Sequence, residues 1–376
     1  MSEALVISHY DGHGVVTGTL CARRYGIPIE NVIIEFPVTA PDGIQNIENI
    51  VSPSILYTKT EFYILDIAVN IKDPDGFFRA LHRIFQNARK MTRSYIMIQM
   101  MDHHESNLQY VHMMPQFLKY VHFPNSFALS VTFARTNEER QMAIIGAICD
   151  RDTSILSLPE FQENRERLLR MADGLDWLVR NDMKNAIDIC YNLNFERLLE
   201  FSGRIPEPNE TSIEKISNNV VIYNEQLPEG WGTKVLERVA IRTNVPYAIG
   251  FEYVSRLNQW IVRCITLWTS GARPVREFIS TTRTIIGHPS APTIACTSES
   301  DAKRLMREIA ESINRNVQTS QMMTSIEHAQ QSFTELFDVL VQILQSQQEM
   351  YKKYLELKEE QVKLLRETTS ERARFD

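Results

Sequence analysis

Residues 5–18, LVISHYDGHGVVTG, decide how the N-terminal part of this chain folds. An unbroken apolar run, typical of a strand buried on both faces, leads into a segment of small residues with the pattern of a helix. Between the two stand His9, Asp11 and His13. This cluster is either a polar turn or half of a metal site, and the second interpretation requires the rest of the chain to supply the other half.

Length and composition limit the classes of protein to which the chain can belong. The 376 residues are 43% hydrophobic, which suits two ordinary domains and excludes a disordered or fibrous protein. A formal net charge of -7 provides no global positive field for a long nucleic acid, so any nucleic-acid substrate is expected to be short. The five cysteines lack CxxC spacing, and no apolar run is long enough to span a bilayer. We therefore expect a cytoplasmic protein with free thiols and no membrane contact.

The first 150 residues alternate short apolar runs with helical patterns, which predicts an α/β fold with a doubly wound, mainly parallel sheet. The predicted strands are ALVIS (4–8), NVIIEF (31–36), FYILDIAV (62–69) and YIMIQM (95–100). A helical stretch over residues 158–199 ends in the turn formers of SGRIPEPNETS, residues 202–212, where we expect a domain boundary. The later runs NVVIYNE, YAIGFEYV and WIVRCITLW predict strands of a second, smaller α/β domain.

The C-terminal segment has the heptad pattern of a coiled coil. Its apolar positions advance by alternating steps of four and three: Leu336, Leu340, Ile343, Gln347, Met350, Tyr354, Leu357, Gln361 and Leu364. The alternative is a long solvated helix that folds back onto its own domain. The heptads favour self-association, so we expect a homo-oligomer formed through residues 336–364.

Acidic and histidine residues follow the predicted elements of the first domain, at the rim where a doubly wound sheet binds ligands. They are His9, Asp11 and His13, then Asp66, then Asp102, His103 and His104, and finally Asp150. Singly, Asp66 and Asp150 are equally consistent with caps or turns, and the histidine pair with half-buried side chains bonded to backbone. Carboxylates buried together oppose one another's ionisation, and a divalent cation removes that conflict. The convergence therefore indicates a metal site.

The type and number of these side chains narrow the choice of metal. Imidazole and carboxylate with no thiolate except Cys149 suit manganese, iron or zinc better than calcium or copper(I). The set is larger than one ion needs, but two ions about 3.5–4 Å apart would use it, as in sites for in-line phosphoryl displacement. We expect two manganese ions, with magnesium, cobalt or zinc as alternatives.

These motifs resemble those of the DHH phosphoesterase superfamily, which includes RecJ-like and nanoRNase-like proteins and is named for the tripeptide that stands here at residues 102–104. The first family motif, His-x-Asp-x-Asp-Gly, reads HYDGHG at residues 9–14, with His13 in place of the second Asp. The lone Asp of the second motif is Asp66, and the fourth motif reads GAICD, which ends in Asp150. In the DHH-associated domain of the family a glycine run precedes a histidine, and here one glycine remains, Gly287 before His288.

The resemblance implies a role for each matched residue. It implies that His9, Asp11 and Asp66 bind one metal with Asp66 bridging, and that His103, Asp150 and His13 bind the second. As catalytic residues, it implies that His104 faces the phosphate and that Asp102 orients a histidine. The loop at Gly287 and His288 would hold the substrate's phosphate or terminal nucleotide. Because His13 carries no charge, either the metal preference is altered or the second ion binds weakly and catalysis has decayed; the complete set of other ligands favours activity.

The segment from Trp260 to Pro289 is rich in arginine. Arg263, Arg273, Arg276 and Arg283 are accompanied there by a single acid, Glu277. Guanidinium groups suit phosphate, and Trp268 or Phe278 offers a ring on which a base stacks; the alternative is scattered surface arginines. As a group, with Arg263 and Arg283 as substrate-binding residues, they favour a nucleotide over pyrophosphate.

The sequence thus predicts four segments: residues 1–155, the DHH metal-binding catalytic domain; 156–212, a helical linker; 213–315, the DHH-associated substrate-binding domain; and 316–376, a coiled-coil helix. The expected function is that of a manganese-dependent phosphodiesterase or exonuclease that hydrolyses short oligonucleotides or small nucleotides, cyclic ones included, by two-metal activation of water. The alternative is a catalytically weakened scaffold or regulatory subunit that assembles with a protein partner through its coiled coil.

Overall fold

In the computed structural model of the protein, residues 4–35, 59–69, 73–92, 96–288 and 290–372 are described. The predicted strand residues Phe36 and Tyr95, and Pro289 beside the predicted phosphate loop, lie outside these ranges. The chain divides into two units. The first comprises Met1–Glu277 with Thr282–Arg307, and the second comprises Phe278–Thr281 with Glu308–Asp376.

A five-stranded sheet begins the first unit. Its strands are β1 (Ala4–His9), β2 (Val32–Glu35), β3 (Glu61–Leu65), β4 (Met97–Asp102) and β5 (Leu118–His122). All neighbours pair in parallel in the order β2-β1-β3-β4-β5, which confirms the predicted sheet. The short edge strand β5, LKYVH, was not predicted, because its lysine and histidine interrupt the apolar run by which the other strands are marked.

Helices cover both faces of this sheet, which explains the unbroken apolar runs. They are α1 (Gly12–Tyr25), α2 (Pro74–Thr92), α3 (Ser126–Val131) and α4 (Asn137–Cys149). In β1, Leu5 and Ile7 belong to the core shared with α2, whereas Val6 belongs to the core shared with α1 and α4. Alternate side chains of one strand therefore enter different cores, and each must be apolar.

The small residues after β1 let α1 lie close against the strand. A Cβ atom at Gly14 would run into the carbonyl oxygen of His9, so residue 14 must be glycine for the chain to turn here. Asp11 caps α1 with a side-chain oxygen that accepts from the Gly14 N–H at 2.7 Å. The quoted stretch is thus a strand, a tight turn and a capped helix.

Three helices lead from the first sheet to a second one. They are α5 (Pro159–Asn181), α6 (Met183–Tyr191) and α7 (Phe195–Ser202). Their apolar faces join the core that contains α1 and α4. The second sheet is mixed, with order β10-β11-β9-β8-β7-β6, and α8 (Gly232–Thr243) packs on it. Its strands are β6 (Ile213–Lys215), β7 (Val220–Gln226), β8 (Tyr247–Val254), β9 (Gln259–Thr266), β10 (Ile285–His288) and β11 (Ala291–Cys296). The predicted α/β fold class is confirmed.

The C-terminal helix α9 (Glu299–Arg372) contains 74 residues. Within the second unit, the Ser312 hydroxyl donates to the carbonyl of Phe278 at 3.2 Å. Seam positions farther along are exposed: Leu336 is 63% and Leu340 is 55% exposed. The predicted helix is therefore present, whereas its pairing with another chain stays a prediction. Among the described helices, none combines the length and the apolar character that a membrane span requires.

Candidate metal centre

The candidate centre lies at the switch point of the parallel sheet. The chain runs from β1 to β2 on one side and then continues in β3 on the other side of β1. The carboxyl ends of β1 and β3 therefore border a crevice of the kind that binds ligands in doubly wound sheets. His9 and Asp11 follow β1, and Asp66 follows β3, so the sheet topology brings these three residues together.

Asp66 is the central residue of the cluster. Its Oδ1 atom lies 3.0 Å from His103 Nε2, its Oδ2 atom lies 2.8 Å from His13 Nδ1, and it is 1% exposed. Its φ of 59° is in the left-handed region, which a non-glycine residue adopts at a cost and which is often found at functional sites. Burial alone would raise the pKa of Asp66, but His13 and His103 outweigh it and hold the pKa well below its usual range.

His13 is buried with one ring nitrogen held by the protein and the other facing Asp66. Nε2 lies 3.0 Å from the carbonyl oxygen of Ser126, which can only accept, so we place a hydrogen on Nε2. The hydroxyls of Thr17 and Ser130 are at 3.1 and 2.9 Å from the same nitrogen. In the neutral imidazole, Nδ1 then carries the lone pair that a metal requires.

Two buried polar atoms at the centre lack hydrogen-bond partners. Within the described part of the chain, neither His13 Nδ1 nor Asp66 Oδ2 has a hydrogen bond of acceptable geometry, although the two are 2.8 Å apart. Buried polar atoms are rarely left unsatisfied, and a cation facing both would satisfy them. Without a cation, burial lowers the pKa of His13, but the Asp66 charge outweighs burial and raises it to about 10. A proton then supplies the positive charge.

Among the described residues, the candidate ligand atoms form three overlapping groups, each with all its atoms within 4.8 Å of one another. One consists of His9, Asp11 and Asp66, and another of His13, His103 and Asp150. These two have the composition that the resemblance implies, whereas the third combines Asp66 and His103 with Asp102 and His104. The role of all these residues as metal ligands stays a prediction. The donor set of imidazoles and carboxylates fits a divalent ion such as manganese.

The candidate ligands His9 and Asp150, toward the surface of the cluster, differ in the groups that surround them. His9 Nδ1 lies 2.6 Å from Asp11 Oδ2; burial alone would lower the pKa of His9, but this carboxylate raises it. Asp150 stands at the exposed edge after α4, with Oδ2 3.5 Å from His103 Nε2. Burial of its carboxylate and the nearby charges of Asp66 and Asp11 raise the pKa of Asp150, despite the opposing effect of the histidines. A bound cation would reverse these repulsions.

Asp102 is fully buried and forms hydrogen bonds with His104; its role in orienting that histidine stays a prediction. Its Oδ1 lies 2.8 Å from His104 Nδ1, and its Oδ2 accepts from the His104 N–H at 3.0 Å and from the Asn107 amide. Burial lowers the pKa of His104, but Asp102 more than compensates and raises it to about 9. Asn107 also accepts from the Val69 N–H at 2.6 Å and donates to the Ile67 carbonyl at 3.2 Å. Asn107 thereby connects the segment that follows Asp66 with Asp102 through hydrogen bonds.

Asn107 was missed by the sequence reasoning. It is fully buried in a 3-10 helix, Glu105–Met113, that follows the DHH tripeptide. The only signal was its short distance from that tripeptide, since an asparagine in a polar stretch has no periodic pattern. Besides Asp102, its partners include Val69 and Ile67, about forty positions earlier in the chain, and local sequence does not specify those contacts.

The structure changes the expectations for the arginine-rich segment. Arg263 Nη2 lies 2.7 Å from Glu252 Oε1, and Arg283 reaches both oxygens of Asp301 at 2.7 and 2.8 Å. These acids lie outside the segment from which the excess of cations was counted. Phe278 is 6% exposed, so its ring is not available to a base, which corrects that prediction.

The structure also shows the surroundings of Trp268 and of the residues predicted to form the phosphate loop. Trp268 is half-buried, with its ring centroid 6.2 Å from that of Phe161. Gly287 and His288 were expected in a loop. They lie instead in β10, where they oppose Pro292 and Ala291 of β11. The correction has a simple cause: β-branched residues before a single glycine form an edge strand, whereas a run of glycines would not. Binding of substrate by these residues stays a prediction.

Comparisons with known proteins give structural matches only. No protein-family model matches the chain, and no curated protein matches it in sequence. It is similar to RecJ in complex with Mn2+ from Thermus thermophilus, at 13% identity and TM-score 0.40, over 83% of this chain and 52% of that one. It is similar to the pGpG-specific phosphodiesterase PggH from Vibrio cholerae, at 12% identity and TM-score 0.42, over 83% and 99% of the chains. CDC45 from Entamoeba histolytica matches at 7% identity and TM-score 0.37, over 84% and 95%.

The chain thus spans about half the length of the Thermus RecJ structure. RecJ-like proteins, to which the sequence motifs point, are among the solved structures that it resembles.

Proposed function

We propose that the protein is a metal-dependent phosphodiesterase that hydrolyses short oligonucleotides or small nucleotides, cyclic ones included. The observation that carries this proposal is the buried contact between His13 Nδ1 and Asp66 Oδ2, which are 2.8 Å apart and lack hydrogen-bond partners among the described residues. A buried ion pair is often no more stabilising than apolar packing of the same volume, whereas a cation that faced both atoms would satisfy them.

His9, Asp11 and Asp66 would hold one ion, and His13, His103 and Asp150 a second, with Asp66 common to both. Cys149 belongs to none of the ligand groups found among the described residues, and its thiol donates to the carbonyl of Ala172 at 3.8 Å. The donors are then nitrogen and oxygen only, which suits manganese. Bound ions of this kind stabilise the charge of a phosphoryl group and make water a better nucleophile.

His104 is the residue that we assign to the phosphate. Asp102 fixes its Nδ1 side, and the side chain is 36% exposed, so the imidazole is held but accessible. In the metal-free protein, Asp102 raises the pKa of His104 to about 9 despite burial, which favours the protonated imidazole. A cationic imidazole donates a hydrogen bond to a phosphoryl oxygen and stabilises the charge that develops there. Asp102 acts through His104 as a positioning residue.

Metal content and hydrolysis test the proposal together. Purified protein reconstituted with manganese should contain two ions per chain and release mononucleotides from RNA or DNA of two to five nucleotides. The His104→Ala variant should retain its metal and lose the hydrolysis. His328→Ala, an exposed histidine of α9, is the matched control and should remain active. A metal-free wild type that is inert on oligonucleotides, cyclic dinucleotides and pyrophosphate would contradict the proposal.

The second candidate is a scaffold or regulatory subunit with decayed catalysis. Exposed apolar residues on α9 favour it, since Leu336, Leu340 and Ile343 form a surface suited to another helix. His13 in place of an acid removes one compensating charge from the second ion. A protein that stays folded and metal-free, with no hydrolysis, would support this candidate.

A further inference from the structure

A cavity of about 450 Å³ adjoins the candidate metal centre. Tyr10 and Asp11 from the end of β1, Arg180 from α5, and Thr233 and Lys234 from the start of α8 contribute to its wall. The volume lies within the roughly 300–1,000 Å³ of small-molecule pockets, so it has room for more than a phosphate group. Asp11 belongs to both the wall and the first ligand group. A molecule bound at the centre can therefore extend into the cavity.

Most of the positive charge around this cavity is already neutralised. Lys234 Nζ lies 2.6 Å from Asp176 Oδ2, and Arg151 Nη2 lies 2.8 Å from Glu237 Oε1. Lys234 is nearly buried, and although burial alone would lower its pKa, the surrounding acids raise it, so it is a structural cation. Lys234 thus links α8 to α5 through its ion pair with Asp176, and its charge is not available to a ligand.

Arg180 is different, because its charge is not matched. Within the described ranges, no carboxylate lies at ion-pair distance from its guanidinium, which donates to the carbonyl of Gly230. The guanidinium is 4.5 Å from the centroid of the Trp231 ring, and this stacking orients the plane of the donors. An oriented, exposed and unneutralised arginine in a cavity wall is suited to an anionic group of the ligand.

We propose that this cavity binds a nucleotide unit next to the scissile bond, and that Arg180 binds the terminal phosphate of that unit. The inference rests on the proposed function, since it places the scissile phosphate at the metal centre. Tyr10 supplies an aromatic ring to the wall, of the kind on which bases stack. The substrate class is then a short oligonucleotide that carries a phosphate in addition to the one attacked. Pyrophosphate would leave the cavity unfilled.

Equilibrium binding tests this without relying on hydrolysis. The probes are dinucleotides with a methylene-phosphonate linkage, which cannot be hydrolysed, bearing a 5′-phosphate, a 3′-phosphate or neither. Each is titrated calorimetrically into the full chain, into Arg180→Gln and into Arg204→Gln. Arg204 is the matched control, since it is also exposed and stacked, 4.6 Å from the Trp177 ring centroid, but does not line the cavity.

Wild type and Arg204→Gln should bind one phosphorylated probe about 10- to 100-fold more tightly than the unphosphorylated one, the range of a charged hydrogen bond. Arg180→Gln should bind both equally. If wild type shows no preference, or Arg180→Gln keeps it, the inference is wrong. Hydrolysis by wild type without any phosphate preference would overturn this inference alone. A phosphate preference in a protein that hydrolyses nothing would overturn the proposed function and leave the cavity assignment standing.

Discussion

Asp66 Oδ2 lies 2.8 Å from His13 Nδ1, and both side chains are almost completely buried. The two residues come from different elements, since His13 lies in the first turn of α1 and Asp66 follows β3. In the DHH pattern, position 13 would be a second acid, which would face Asp66 as a like charge without a cation. The His13 imidazole avoids this repulsion in the metal-free protein, because it can be protonated and offset the charge of Asp66.

Replacement of His13 by aspartate should exchange stability for metal affinity. In His13→Asp two carboxylates meet without compensation, so the metal-free protein should lose roughly 3–5 kcal/mol of unfolding free energy, the cost of breaking a buried ion pair. The added charge should bind the second manganese at least about tenfold more tightly. Denaturant unfolding with chelator and manganese titration measure the two effects. His13→Gln is the control, and it should gain no metal affinity; a similar gain there would contradict the charge argument.

The stability of the metal-free protein should depend on pH through His13. Its pKa rises from 6.5 to about 10 on folding, so the folded state holds a proton that the unfolded state releases. This contribution is fully present below about pH 6.5 and is lost as pH rises toward 10, with a slope of up to about 1.4 kcal/mol per pH unit. Urea unfolding at several pH values in chelator measures it. Manganese, which requires the deprotonated imidazole, should remove the slope, and His13→Gln should lack it; a slope that persists in both would assign it to other groups.

Loss of Asn107 should weaken both the fold and the catalytic histidine. Asn107→Ala leaves Asp102, the Val69 N–H and the Ile67 carbonyl short of partners in a buried site, at roughly 1–3 kcal/mol for each unsatisfied group. The kcat should fall more than KM rises, because His104 loses its orientation. Asn181→Ala, at an exposed position, should cost no more than about 0.5 kcal/mol. Equal losses in the two variants would exclude a positioning role.

Oligomerisation should depend on the seam of α9. Leu340→Glu with Ile343→Glu places charge at consecutive seam positions, so sedimentation should change from an oligomer to a monomer. Gln345→Glu, which is off the seam, should leave the oligomer intact. A monomeric wild type at micromolar concentration would refute self-association through residues 336–364.

Local pattern was sufficient for the strands that deliver the site. Leu5, Val6 and Ile7 are apolar because both faces of β1 are covered, and a continuous apolar run is the mark of that environment. Because parallel strands end at one rim, His9, Asp66 and His103 were predicted to converge from their positions after strands alone.

Long-range pairing was not available from the sequence. Arg263 and Arg283 appeared unopposed because Glu252 and Asp301 lie outside the segment that contains them. Their ion pairs follow from how strands and α9 meet in space, and no periodicity encodes this. Asn107 was overlooked for the same reason, since two partners of its side chain, Val69 and Ile67, lie far away in the chain.

Gly14 packs against the His9 carbonyl at the turn where the strand meets the helix. The fold requires this contact, so a related protein that had lost its catalytic activity would still need glycine at this position. Gly14, the last residue of HYDGHG, is therefore no indicator of an active protein. No comparable steric contact fixes the identity of the neighbouring residue, His13. Among related chains, residue 14 should therefore stay glycine, whereas the identity of residue 13 should differ between active and inactive proteins.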